Sequence, residues 1–296
     1  MAFDLAILSR GDGWHVQDLL RAASDHGINA TVHDWHQLWG GVGKDGEPVA
    51  AAGPDTLDDA DAVLLRTVPG GSLEQIIFRM DLLQRLAESG VRVVNAPKVY
   101  EMAVDKYLCS ARLAAAGLPV PATVACHNPA EAMAAFQRLG RDVVVKPLFG
   151  AEGFGITRVQ DPAVADRIFR TLERHGSILY LQQHVPHDGS DRRLMVIGGR
   201  VVAAMRRSGD NWPPNIARGG KGEAIDPDPE LAQLALAAAE AVGTEIAGVD
   251  LIFDQQHDQW QLLEVNGAPG WRTLTDITGV DVATAIMNHL ASEAGR

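Results

Sequence analysis

Hydrophobic and polar positions follow two different periods along the first third of the chain. Short apolar runs within Asp4–Arg10, Ile28–Trp35, Asp61–Pro69 and Val91–Pro97 alternate with stretches of helical period over Gly13–Gly27 and Ser72–Gly90. Apolar strands separated by amphipathic helices predict a parallel sheet covered by helices, and a glycine near each helix end reads as a C-cap. Beyond Pro97 the pattern changes. One helix is predicted across Lys98–Gly117, and Pro119 and Pro121 then enforce an extended path. A helix over Asn128–Gly140, a strand at Asp142–Pro147, a glycine-rich stretch at Leu148–Gly155, a strand at Ile156–Gln160, a helix over Pro162–His175 and a strand at Ile178–Val185 follow. Arg192–Gly199 and Arg200–Arg207 read as a hairpin turned at Gly198-Gly199. A loop rich in Gly, Pro and Asn over Ser208–Gly222, a helix over Pro229–Val242 and a closing helix over Asp281–Ala294 complete the pass.

Between the last two helices lie two strand segments, Ala247–Phe253 and Leu262–Asn266, joined by the polar stretch Asp254–Gln259. Side chains alternate across a strand, so Glu264 and Asn266 share one side while Leu263 and Val265 take the other. A hairpin folded about its centre sets Ile252 opposite Leu262 and Asp250 opposite Glu264. Opposed like charges destabilise a sheet, and buried ones are costly unless neutralised. Either the register slips by one residue and turns one carboxylate to solvent, or the hairpin tip is solvated, or a divalent cation sits between them. Two carboxylates and an amide oxygen, with no His or Cys nearby, are hard oxygen ligands that suit magnesium or manganese. Magnesium usually arrives with substrate phosphates, so the chain should also hold a phosphate site.

Composition narrows the options. At 296 residues and 46% hydrophobic content the chain can bury a large core, split over two or three domains. No apolar run approaches bilayer length, and the N-terminal segment reads as a first strand, so no membrane association and a cytoplasmic location are expected. The two cysteines, Cys109 and Cys126, lack metal-site spacing and fit a reduced compartment. A net charge of −12 argues against nucleic acid as a partner. Basic residues nevertheless gather at Arg192, Arg193, Arg206, Arg207, Arg218 and Lys221, as for an anionic ligand or a solvated loop. The Gly-Asp-Gly after the first strand lacks the helix-opening third glycine of a dinucleotide fingerprint, so no NAD site follows from it.

Lys146 ends an apolar strand and is followed by Gly150, Gly153 and Gly155. Glycines let a loop close on a ligand with backbone N–H groups free, and a lysine supplies a point charge for phosphate oxygens. The stretch is not a P-loop, because no Gly-Lys-Ser/Thr follows.

Taken in order, these features resemble the ATP-grasp superfamily and, within it, the RimK-like alpha-L-glutamate ligases, from about Asn95 to the C-terminus. The resemblance implies an α/β chain of the α+β ATP-grasp type: an N-terminal parallel α/β domain over residues 1–96, a central lid subdomain over 97–186, and a C-terminal subdomain with the metal site over 187–296. It implies ATP and Mg2+ or Mn2+ as cofactors. Lys106, in "VDKYLCSARLAAAG", and Lys146, in "VVVKPLFGAEGFG", would contact nucleotide phosphates beneath a loop containing Gly153 and Gly155. "YLQQHVPHDGSD" resembles the adenine-binding segment and points to Gln182, Gln183 and Val185, with Asp191 a ribose or network contact. "DRRLMVIGGRVVAAMRR" supplies Arg193 and Arg206, and "NIARGGKGE" supplies Asn215, Arg218 and Gly219. In relatives a histidine often precedes that arginine, where this chain has Ala217.

Asp250, Glu264 and Asn266 match the family's metal-binding set. Arg206 would offset charge on the transferring phosphoryl group, and Arg218 would steady the acylphosphate as the amine attacks. The implied reaction is ATP-dependent addition of L-glutamate to a carboxylate on a small molecule or a cofactor tail, through an acylphosphate, releasing ADP and phosphate. Alternatives are another ATP-grasp amino-acid ligase, a kinase, or a non-catalytic ATP-binding sensor. A homo-oligomer is the family's expectation. Where ribosomal-protein ligases carry "SPGLEG" after the metal-binding Asn, this chain has "GAPGWRT", more like ligases acting on pterin-type or furan-type cofactors. Trp271 could stack on an aromatic acceptor or anchor the core, and Arg272 could hold a carboxylate.

Overall fold

The structure, a computed structural model, describes residues 3–43, 48–150, 155–209 and 220–293. The chain opens with β1 (Asp4–Ser9), α1 (Trp14–Asp25), β2 (Asn29–Asp34), the two-residue strands β3 (Leu38–Trp39), β4 (Ala51–Ala52) and β5 (Asp55–Thr56), then β6 (Ala62–Leu65), α2 (Leu73–Glu88) and β7 (Arg92–Val94). Strands β2-β1-β6-β7 form a wholly parallel sheet, as the apolar runs predict. Leu5 and Ile7 face α1 through Leu19, Ala22 and Ala23, whereas Ala6 and Leu8 face α2 through Leu82, Leu83 and Leu86. The two helices therefore cover opposite faces. Ser72 starts α2 with a capping box, accepting from the Gln75 N–H while the Gln75 side chain accepts from its own. The antiparallel trio β3-β4-β5 has no counterpart in the sequence pattern, because two-residue strands leave no periodicity.

The helix predicted across Lys98–Gly117 is two helices, α3 (Pro97–Val104) and α4 (Lys106–Ala115). Asp105 leaves the helical region, and its carboxylate accepts from the Leu108 N–H at 2.9 Å, so it caps α4 and places Lys106 at the start of that helix. Both helices contribute to the core of the C-terminal sheet, through Ala103, Cys109 and Leu113.

A second layer holds β8 (Thr123–Cys126), α5 (Pro129–Arg138), β9 (Val143–Lys146), β10 (Thr157–Val159), α6 (Pro162–Arg174) and β11 (Leu179–Gln183). Its antiparallel order is β10-β9-β11-β8, and Phe136 and Phe169 anchor the two helices in a core of their own. The third layer comprises β12 (Ser190–Ile197), β13 (Arg200–Ser208), β14 (Lys221–Ala224), α7 (Pro229–Val242), β15 (Ile246–Asp254), β16 (Gln259–Asn266), α8 (Arg272–Thr278) and α9 (Val282–Glu293). Its strand order is β14-β13-β12-β15-β16. Gly198 and Gly199 turn the β12–β13 hairpin at φ +55° and +71°, positive values that a primed turn requires.

One core runs from the first sheet into the third: Leu5, Ile7 and Leu19 share it with Met195, Ile197, Trp271 and Ile286. Buried Asn95 strengthens that seam, its amide donating to the carbonyls of Ile246 (2.8 Å) and Gly267 (2.7 Å) and accepting from the N–H of Glu245 at 2.7 Å. Among the described residues no helix is long and apolar enough to cross a membrane.

Candidate active site

The β15–β16 hairpin sets Asp250 opposite Glu264, as expected, and Gly248 opposite Asn266. Ile252, however, faces Gln261 rather than Leu262, because the register shifts between Asp250 and Leu251. The pairing continues as Leu251–Leu262, leaving Leu263 as an extra residue on β16. That bulge creates the opposed carboxylates. Extending the register of the hairpin tip would set Leu263 against Asp250 and turn Glu264 to the other side.

The two acids have unlike surroundings. Asp250 is buried; its Oδ1 accepts from Arg193 Nε at 2.7 Å, and its Oδ2 accepts from Arg193 Nη2 at 2.6 Å and lies 3.0 Å from Arg207 Nη2. Arg207 also makes a two-pronged pair with Asp191, at 2.7 and 2.8 Å. Two guanidiniums and two carboxylates thus form one neutral cluster. Burial pushes the Asp250 pKa up, but Arg193 and Arg207 outweigh it and hold it at about 2. Glu264 is half-buried and makes no hydrogen bond among the described residues.

Lys146 ends β9 across from Tyr180, and its ammonium donates to Gln182 Oε1 at 2.6 Å. The Gln182 amide donates in turn to Thr123 Oγ1 at 3.1 Å. Burial lowers the Lys146 pKa to about 8; Glu264 and Asp250 oppose the shift, and Lys106 adds to it. These couplings bring the two lysines and two carboxylates, drawn from all three of the later segments, into one electrostatic site. Lys106 donates from Nζ to the Gly150 carbonyl at 2.6 Å and from its backbone N–H to Leu148 O at 3.3 Å, tying the start of α4 to the glycine-rich loop. At Gly155 φ is +74°, and a Cβ would lie 2.8 Å from Pro147 Cγ, so only glycine fits where this loop turns back.

Of the adenine-segment residues, Gln182 and Val185 are buried and Gln183 is exposed. Gly153, Asn215, Arg218 and Gly219 lie outside the described residues. Arg206 does not join Asp250 and Glu264. It pairs with Arg192 across the strands and with Asp188 at 3.0 Å, while the register puts its neighbour Arg207 on the side of Asp191 and Asp250. The signal was in the sequence: alternation along β13 makes Arg206 and Arg207 point apart, so only one can serve this site. Asn266 Oδ1 accepts from the Ala268 N–H at 3.0 Å, which turns the chain out of β16.

Trp271 is a core anchor and cannot stack on an acceptor, because it is fully buried. Its indole N–H donates to Asp18 at 2.8 Å, the His15 ring meets it edge-on at 4.7 Å, and the Arg66 guanidinium lies 4.6 Å from its ring centre. Arg272 is exposed and packs over Trp14 at 5.6 Å.

Among the described residues no three His, Cys, Asp or Glu side chains cluster as a metal site. A hard cation would therefore rest on Glu264 and Asn266 with what Asp250 leaves free. Half-buried Glu264, without a hydrogen bond among the described residues, fits such an ion, and Asp250 Oδ1, on the residue opposite in register, retains one lone pair.

The model of the RimK-like ATP-grasp domain matches residues 103–290. The chain is 33% identical to the tetrahydromethanopterin:alpha-L-glutamate ligase of Methanosarcina acetivorans, over 94% of this chain and 95% of that protein. It superimposes on the crystal structure of a RimK domain ATP-grasp protein from Sphaerobacter thermophilus with a TM-score of 0.75 at 25% identity, over 97% and 98% of the two chains. It superimposes equally on the ATP-grasp ligase PsnB, solved with a minimal precursor, Mg and ADP, with a TM-score of 0.76 at 22% identity over 99% and 98%.

Proposed function

The chain belongs to the RimK-like ATP-grasp family, and on that premise we propose that it is an ATP-dependent carbon–nitrogen ligase joining L-glutamate to the carboxylate of an acceptor. The observation that carries this reading is Glu264, a half-buried carboxylate with no hydrogen bond among the described residues, in electrostatic contact with Lys146. That pairing suits a phosphate chain with a hard cation beside it.

A carboxylate is a poor electrophile and needs activation. One acceptor carboxylate oxygen attacks the γ-phosphorus of ATP as the bond to the bridging oxygen breaks, giving an acylphosphate and ADP. The free amine of glutamate then attacks the acyl carbon, phosphate leaves, and the amine gives up a proton. Glu264, Asn266 and Asp250 would hold Mg2+, which would neutralise phosphate charge there. Lys146 and Lys106 place fixed positive charge beside the phosphate oxygens. Gln182, buried between Lys146 and Thr123, orients the lysine. Arg207, rather than Arg206, supplies the guanidinium on the side of the carboxylates, with Asp191 and Asp250 holding it in place. Lys106 also donates to the Gly150 and Leu148 carbonyls, which fixes the start of α4 against that segment.

The relative from Methanosarcina is named for a pterin-type acceptor, and the GAPGWRT segment after Asn266 in this chain resembles ligases acting on such cofactors; a small-molecule or cofactor-tail carboxylate is therefore the acceptor class we favour. With ATP, Mg2+ and such an acceptor, hydroxylamine in place of glutamate should trap an acyl hydroxamate together with ADP. A stable phosphorylated acceptor would instead identify a kinase.

Lys146 gives a further expectation. With a pKa of about 8 it is partly neutral at pH 8 in the free protein, and phosphate oxygens favour its ammonium form. ATP binding at pH 8 should therefore take up a proton. Calorimetry should show a binding enthalpy that varies with the buffer's ionisation enthalpy, and Lys146→Met should remove that component. A wild-type enthalpy independent of buffer would contradict the placement.

A further inference from the structure

The carboxyl edge of the N-terminal sheet carries chemistry that the nucleotide site does not use. From β1 the chain passes to one side for β2, and β6 lies on the other, with α1 and α2 on opposite faces. Open α/β sheets bind ligands in the crevice at such a switch point, outside the carboxyl ends of the strands. Ser9, the last residue of β1, and Arg66, the first after β6, occupy it, joined by the Arg66 N–H donating to Leu8 O at 2.9 Å.

Arg66 is only 7% exposed. Its Nη2 donates to the Pro269 carbonyl at 3.0 Å and its guanidinium lies over Trp271, but Nε and Nη1 make no hydrogen bond and no carboxylate pairs with it among the described residues. A buried charge in that condition is costly unless an anion joins it. The neighbouring groups leave that role open. His15 accepts the Trp271 N–H on Nε2 at 3.1 Å, and burial, with the charges of Arg66 and Arg272, holds its pKa at about 4, so the ring is neutral. Asp18 is committed to the Trp271 indole and to Arg21. Exposed Arg272 adds a second positive charge acting on the same histidine. Pro269 stands three residues beyond Asn266, so the carbonyl that Arg66 holds lies within about 11 Å of that residue along the chain.

We infer that Arg66, aided by the positive charge of Arg272, anchors a substrate carboxylate that is not activated in the reaction. This rests on the ligase reading above, which supplies two sources: a carboxylate of the incoming glutamate, or a second carboxylate of the acceptor. The Arg66 fork over Trp271 suits a planar, two-oxygen anion better than an ammonium would.

The test is equilibrium binding of L-glutamate and of glutarate, its amine-free counterpart, to the full chain loaded with Mg·ADP. Arg66→Met should weaken at least one of them tenfold or more, with Mg·ADP affinity unchanged. Loss of both probes shows that the anchor reads a carboxylate whether or not an amine is present, and loss confined to L-glutamate shows that it reads the carboxylate of an amino acid; both support the anchor. Arg272→Ser, at an exposed position, should give a smaller loss and covers the case in which Arg66→Met does not fold. Unchanged binding of both probes in these variants, or binding of neither by the wild type, overturns the inference. Hydroxamate formation by the wild type shows separately whether the ligase reading stands.

Discussion

Glu264→Gln is expected to lower ATP turnover by at least about 100-fold while leaving the thermal melt where it is. The side chain makes no hydrogen bond among the described residues, so the isosteric change removes no protein contact. It does remove the anionic ligand that faces the cluster around Asp250 and helps keep Lys146 charged. ADP release and the melting curve, measured on the same preparation, check both halves. Unchanged ADP release with an intact melt would sink the assignment of Glu264 to the metal.

Asp250→Asn should behave differently, although it sits directly across the hairpin. Among the described residues Asp250 alone pairs with the Arg193 guanidinium, accepting from its Nε and Nη2, and it shares Arg207 with Asp191. Neutralising it leaves buried Arg207 and half-buried Arg193 facing one carboxylate, a loss of about 3–5 kcal/mol for a broken buried pair. Urea unfolding should show that drop together with lost turnover. The pH dependence has a definite sign. The folded pKa of about 2 lies below the unfolded carboxylate value, so this stabilisation is full above the unfolded pKa and is lost as pH falls toward 2. The asparagine variant should lack that acid-linked component. An unchanged urea midpoint would mean that the arginine cluster does not support the fold.

Apolar runs bounded by caps were legible: α7 spans Pro229–Val242 as expected, and the parallel sheet follows from runs such as Leu5–Leu8. The break at Asp105 was missed because an aspartate inside an apolar periodicity leaves the pattern intact, and only its bond to the Leu108 N–H marks it as a cap. The pairing of Asp250 with Glu264 was legible from alternation, but the bulge at Leu263 was not, because one extra residue changes register without changing composition. Choosing between Arg206 and Arg207 required knowing which side of β13 faces β15 through β12. Trp271 illustrates a further limit. An aromatic after a Gly/Pro break suits a ligand surface or a buried anchor equally, and only the approach of α1 and Arg66 decides it. A single arginine after a strand carries no motif, so Arg66 is not legible in the sequence; its meaning lies in the lack of an acid partner among the described residues.

The central claim is that this chain adds glutamate to a carboxylate at the expense of ATP. The most direct measurement is mass spectrometry of a small-molecule extract incubated with the protein, ATP, Mg2+ and isotopically labelled L-glutamate. A species heavier by labelled glutamyl units, formed with ADP and phosphate and absent with Glu264→Gln, is the predicted result. ATP consumption that yields a phosphorylated metabolite, with no label incorporated, would contradict it.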